Sequence, residues 1–310
     1  MIKFEPNTQQ KLFGLNKHIL ELIRLYKANL YPNKLLLSGQ KGIGKSTLAY
    51  HFINYVLSKD EHFKYDIENF QIFTESYTFK TILNKSNTNL INVDIHPEKK
   101  SIDINQVREL IMNLNKSSFN NKPRFVLIDN IELLNTKSIN ALLKVLEEPN
   151  HNTNFILINN NKKVLPTLLS RCINYRINLT NRECLKITNL LLGKDLENFM
   201  NEDFINYYFT PGNIYCLIKF AEEYKYDLLN FDLKRLLQII IKEQHYKKDP
   251  FMKYMVFHLV EFYFIKLNLS FSKSISDKYS YFLRRISDTK TFNLDQDSLF
   301  TEFEEEILNG

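Results

Sequence analysis

Gly39-Gln-Lys-Gly-Ile-Gly-Lys45-Ser46 is the stretch that decides how this chain folds. It satisfies G-x-x-x-x-G-K-[ST], the pattern of a phosphate-binding loop (P-loop). Its glycines let the backbone curl so that successive N–H groups face inward and form a nest for an anion. A helix is predicted from about Lys45 to Leu57, and its positive end would point at the phosphates. Lys45 supplies a charge for the β and γ phosphates, and the Ser46 hydroxyl is a magnesium ligand. A chance match in a chain of this length is on the order of one in a hundred. Gly39, Gly42, Gly44, Lys45, Ser46 and Thr47 are therefore the candidate nucleotide contacts, with ATP or ADP and Mg2+ as the implied cofactor.

Working outward, the loop is preceded by the apolar run KLLLSG (34–39). Similar runs follow at LINVDI (90–95), RFVLID (124–129), NFILIN (154–159) and INYRI (173–177). Several are apolar almost throughout, as strands covered on both faces must be. Between them Ile104, Val107, Ile111 and Leu114 repeat at helical spacing, as do Ile139, Leu142, Leu143 and Leu146. Alternating strands and helices imply a parallel sheet flanked by helices. A P-loop needs a second acid at the end of a neighbouring buried strand to hold the magnesium shell. Phe125-Val-Leu-Ile-Asp129 supplies it, so Asp129 joins Ser46 on the metal side of the site. After Leu179 the strand pattern stops and amphipathic helices take over, among them Leu233 to Ile241, 250–267, 274–287 and 297–308.

Composition narrows the remaining choices. The 310 residues are 44% hydrophobic and 25% charged, the balance of a folded protein. A formal charge of +6 is compatible with touching nucleic acid but is spread thinly. Cys172, Cys184 and Cys216 are the only cysteines, which excludes a disulfide framework and a four-cysteine zinc site. MIKFEPNTQQ lacks the apolar core of a secretory signal, and Phe251 to Leu267 is broken by Lys253, His258, Glu261 and Lys266. The expectation is a cytoplasmic protein with no membrane span. The asparagine-rich patches at 84–89, 150–154 and 159–161 reflect a bias of the whole chain.

Several further motifs occur in order: Phe13-Gly14-Leu15, then KLLLSGQKGIGKSTLA, Asp94-Ile-His96-Pro97 and Asp103-Ile-Asn-Gln-Val-Arg108-Glu-Leu. The strand ending at Asp129 follows, then Asn140-Ala-Leu-Leu-Lys144-Val-Leu-Glu147-Glu148-Pro149 and Ser170-Arg171-Cys172. Over roughly the first 180 residues this series resembles the AAA+ subunits of the bacterial DNA polymerase III clamp loader. The resemblance implies an α/β then all-α fold: an AAA+ P-loop domain over 1–178, a small helical lid over 179–226 and a helical collar over 227–310. It implies that Arg171 acts as an arginine finger in trans, projecting into a neighbouring subunit's ATP site, where its planar charged fork suits phosphate oxygens. Asn159, at the end of a strand beside Asn160, falls where such proteins place a polar group near the γ-phosphate. Gamma/tau and delta subunits, the sliding clamp and primer–template DNA are the implied partners. His96 has no partner in view and is not read as a metal ligand; Lys144, Glu147 and Glu148 read by default as solvated charges.

Three departures from that family bear on activity. Hydrolysing AAA+ motors follow the magnesium-side aspartate with glutamate, whereas this chain has Asn130, an amide that orients water but cannot accept its proton. Glu132, two residues on, is expected to point elsewhere. Motor subunits carry a zinc module in the region of 58–90, which here has no cysteine. Thr210-Pro-Gly212-Asn213 lacks the arginine usual after that turn. The missing zinc module alone decides nothing, since many delta-prime subunits carry one; Asn130, an intact Arg171 and a chain that shows no tail after the collar favour a delta-prime-like subunit, with little or no ATPase activity of its own. The alternatives are an ATP-hydrolysing gamma/tau-type motor or another AAA+ loader, and a structural subunit with a vestigial P-loop. A GTPase is disfavoured because no guanine-reading N-K-x-D is present.

Overall fold

Strands β1 (Lys34–Ser38), β2 (Leu90–Val93), β3 (Arg124–Ile128), β4 (Thr153–Asn159) and β5 (Ile173–Arg176) coincide with the five apolar runs read from the sequence. In this computed structural model, which describes residues 5–95, 99, 101–116, 120–149, 152–268, 273–292 and 294–309, they form one parallel sheet ordered β2-β3-β4-β1-β5. Register places Ser38 beside Asn159 and Arg176, so the ends of β4 and β5 flank the start of the P-loop. The central strands β1, β3 and β4 are buried almost throughout, as the continuous apolar runs require, while β5 at the edge leaves Ile173 exposed. His96 and Pro97 lie outside the described residues.

The helices of this half are α1 (Asn16–Lys27), α2 (Lys45–Leu57), α3 (Tyr77–Leu83), α4 (Ile104–Leu114), α5 (Thr136–Glu147), α6 (Pro166–Leu169) and α7 (Asn181–Leu192). Helix α4 starts where the sequence supplies a capping box: the Asp103 carboxylate accepts from the Gln106 N–H and the Gln106 side chain accepts from the Asp103 N–H. Its buried residues are Val107, Leu110 and Leu114, so the buried stripe includes Leu110 and leaves Ile104 and Ile111 at its margins. On α5 the stripe runs through Ser138, Leu142 and Leu146, with Ile139 and Leu143 only partly covered. The i, i+4 spacing of Ser138, Leu142 and Leu146 turns the helix by a fraction of a residue from the face read off the apolar pattern; the Ser138 hydroxyl is satisfied there by the Ile102 carbonyl.

The remaining helices are α8 (Glu202–Ile205), α9 (Pro211–Tyr224), α10 (Leu233–Lys242), α11 (His245–Lys248), α12 (Pro250–Asn268), α13 (Lys273–Phe292) and α14 (Gln296–Phe303). Leu233, Leu236, Leu237, Ile240 and Ile241 of α10 are all buried, as their periodicity predicts. Phe264, Phe282, Phe300 and Phe303 form the centre of this helical core. Among the described residues no helix is long and apolar enough to cross a membrane. By internal contacts the chain divides into two compact units, Met1–Ile187 with Thr210–Gly212, and Thr188–Phe209 with Asn213–Gly310. The lid–collar boundary expected near residue 226 falls inside the second unit.

Candidate functional site

The P-loop joins β1 to α2. Gly42 and Gly44 sit at φ +87° and +94°, a left-handed backbone that a side chain would strain, and this is what allows the loop to curl. Lys45 is buried, and its Nζ donates to the Gly39 carbonyl at 2.9 Å, the Gln40 carbonyl at 2.7 Å and Asn160 Oδ1 at 2.9 Å. Burial pulls its pKa down to about 8, against the opposing pull of the Asp129 and Glu132 charges. The next two carbonyls of the loop are also held. The Thr210 hydroxyl donates to Lys41 O at 2.9 Å, and the Gly212 N–H donates to Gly42 O at 2.9 Å. Four successive carbonyls, 39 to 42, thus each accept a hydrogen bond, which fixes the course of the loop. A Cβ on Gly212 would lie 2.9 Å from both Cα and O of Gly42, so this approach requires glycine.

The Ser46–Asp129 side of the loop is assembled from two elements brought together by the sheet. Ser46 Oγ donates to Asp129 Oδ2 at 2.5 Å. Burial pushes the Asp129 carboxyl above its ordinary value, opposed by the Ser46 hydroxyl, with the neighbouring Asp94 charge adding to the rise. A hydroxyl and a carboxylate in contact at a loop–helix junction, beside a buried lysine, form the donor set that a Mg2+-bound nucleotide needs. With nucleotide present, Lys45 and the loop amides would hold the phosphates, while Ser46 and Asp129 would hold the metal. The ion would supply charge neutralisation on the bound phosphates. Thr47, in the first turn of α2, is half-buried.

Position 130 shapes the rest of the site. Asn130 is left-handed at φ +56°, a conformation asparagine tolerates, and it reverses the chain directly after β3. Its amide nitrogen donates to Asp94 Oδ1 at 3.0 Å and its oxygen accepts from Asn160 Nδ2 at 2.8 Å. The reversal also brings Glu132 back. Contrary to the expectation that it points away, Glu132 Oε1 accepts from Asn160 Nδ2 at 2.8 Å. The short 3-10 turn Ile131–Leu133 that follows the left-handed residue makes this possible. Asn160, not Asn159, is the side chain that reaches Lys45. Asn159 is buried, donates from Nδ2 to the Lys162 carbonyl and accepts the Lys162 N–H, closing its own turn.

Arg171 stands at a different place. Its guanidinium is partly exposed and donates to the Thr167 carbonyl at 2.7 Å and to Glu147 Oε1 at 3.1 Å. Glu147 therefore has an ionic partner where the sequence suggested only a solvated charge. Cys172, beside it, packs into the sheet's core and burial pushes its thiol up to about 11, which makes it a packed residue and a poor nucleophile.

The sequence profile of the family described as DNA polymerase III, delta subunit, matches residues 14–181, more than half of the chain. The chain belongs to that family. A DNA polymerase III subunit gamma from Buchnera aphidicola subsp. Schizaphis graminum is 26% identical over 64% of this chain and 53% of its own length. A DNA polymerase III subunit delta' from Buchnera aphidicola subsp. Baizongia pistaciae is 30% identical over 48% of this chain and 46% of its own length. The chain thus spans about half the length of these curated relatives, or less. A crystal structure of a DNA polymerase III gamma-subunit-related protein from Thermotoga maritima aligns with a TM-score of 0.49 at 17% identity, covering 91% of this chain and 96% of that one. The fold has the architecture expected from the sequence, a P-loop parallel-sheet unit followed by helices.

Proposed function

We propose that this protein is a delta-prime-like subunit of a clamp loader, helping to place a sliding clamp on primer–template DNA alongside gamma/tau and delta subunits. Its own P-loop holds ATP or ADP with Mg2+ without efficient hydrolysis, and Arg171 completes the catalytic site of a neighbouring subunit. The observation that carries this reading is the amide at position 130. Asn130 stands beside Asp129 with both ends of its side chain committed, to Asp94 and Asn160, and has no atom that can take a proton from water. Arg171 supports the second half, because its guanidinium is partly exposed and its bonds go to Thr167, Ser170 and Glu147. DNA would be met through backbone phosphates, without base reading.

The test is ATP turnover by a reconstituted loader, with clamp and DNA, carrying this chain as wild type or Arg171→Ala, and by the isolated chain. The expected outcome is a silent isolated chain and a drop of about a thousandfold per affected site in the loader. One observation favours a second reading. Glu132 places a carboxylate one hydrogen bond from Asn160, which itself binds Lys45. If the isolated chain turns over ATP and Glu132→Gln abolishes it, the protein is a motor of the gamma/tau type in which Glu132 replaces the missing carboxylate.

A further inference from the structure

The corner around Arg171 is built by the ends of two helices that the chain separates. Helix α5 ends on Glu147, with Pro149 just beyond, and α6 runs from Pro166 to Leu169, directly before Ser170. The guanidinium is gripped on two edges. Its Nε donates to Glu147 Oε1 at 3.1 Å and its Nη2 reaches the same oxygen. On the other edge, Nη1 donates to the Thr167 carbonyl at 2.7 Å and lies 3.4 Å from Ser170 Oγ. Of the five N–H donors of an arginine, this leaves at least one on Nη2 for another acceptor.

We propose that Glu147 is a positioning residue for Arg171. The proposal rests on the reading of Arg171 as a residue acting on a neighbour's nucleotide. A long side chain at a surface samples many rotamers, and ordering it at the moment of docking opposes the interaction it makes. Glu147 and the Thr167 carbonyl fix the plane of the fork beforehand, from two different helices. Because both partners are partly exposed, the ion pair contributes little to folding stability; its effect lies in orientation. What matters is then the acceptor at position 147 and not its charge. Glutamine keeps an oxygen at that point, whereas alanine removes it.

The experiment uses the reconstituted loader and the isolated full chain. In the loader, Glu147→Ala is expected to lower kcat at the affected site about tenfold with KM for ATP unchanged, and Glu147→Gln to restore most of the rate. Adding Glu147→Ala to Arg171→Ala should cost nothing further. The proposal is overturned if Glu147→Ala runs at the wild-type rate, runs faster because the carboxylate had competed with phosphate, or slows the Arg171→Ala loader equally. In the isolated chain, the Arg171 Nε–H should exchange slowly by NMR in wild type and Glu147→Gln, and fast in Glu147→Ala. Fast exchange in wild type would overturn the proposal without reference to hydrolysis. If instead Arg171→Ala leaves the loader unaffected while the Nε–H is protected, the trans-acting reading itself fails and Glu147 is only a structural partner.

Discussion

The phosphate cradle and the Arg171 corner belong to the same compact unit but are held by opposite means. In the cradle, a buried lysine, a strap at Thr210–Gly212 and the Asn160 amide satisfy one another and the loop's carbonyls. Lys45 and Thr210 there are buried, so loss of their partners would carry a desolvation penalty. At the Arg171 corner the groups remain partly in water, and only an ion pair and one carbonyl direct the guanidinium. A site that receives a small anion can be braced by its own chain, whereas an arginine proposed to act on another subunit must stay accessible. The two should therefore respond differently to substitution, pH and solvent.

The largest contrast comes from removing the charge in each place. Lys45→Ala should weaken nucleotide binding by the isolated chain about a hundredfold, read by titration with a fluorescent nucleotide. It should leave the Arg171-dependent stimulation of neighbours in place, and Arg171→Ala should do the reverse. Loss of both properties in either variant would break the distinction. Acid should also separate the two. His51, on the P-loop helix, is buried between the Tyr65 hydroxyl and the Gln9 carbonyl, and burial holds its pKa down to about 4. Because the folded value lies below the unfolded 6.5, its contribution to stability is present above pH 6.5 and is lost as pH falls toward 4. Between pH 7 and pH 5 wild type should lose about 2 kcal/mol more than His51→Gln in urea melts. Parallel pH curves for the two proteins would remove His51 as the cause.

Gly212→Ala gives a smaller effect. The added methyl meets the backbone of Gly42, so the strap must move and the hydrogen bond to that carbonyl is lost. Nucleotide affinity should fall about tenfold. Unchanged affinity in Gly212→Ala would show that the strap does not shape the loop. The smallest expected effect is the stability of Glu147→Ala, under about 1 kcal/mol by urea melt, since the pair it breaks is exposed. A larger loss would make the corner a structural element like the cradle.

Much of this was legible in the residues. The continuous apolar runs around Leu36, Val126 and Ile156 announced strands covered on both faces, and the glycine spacing before Lys45 announced the curl of the loop. Asp129 was legible because a single acid at the end of such a strand has one place to go. The choice between Asn159 and Asn160 was not. Both end the same strand, and the turn closed by Asn159 and Lys162 decides which amide is used up locally and which reaches Lys45. Glu132 was misread because a left-handed residue at 130 reverses the chain, and an asparagine does not declare its φ in advance.

The sequence by itself thus determined the fold class, the P-loop motif and the nearness of Ser46 to Asp129, because these depend on patterns within a few residues and on the period of a strand or helix. Only the tertiary structure decided that Lys45 meets Asn160 across 115 positions, that Thr210 reaches Lys41 across 169, and that Arg171 meets Glu147 across 24. Those contacts are made by side chains and backbone groups whose partners are chosen by sheet order and helix ends, and no local pattern encodes a distance through space.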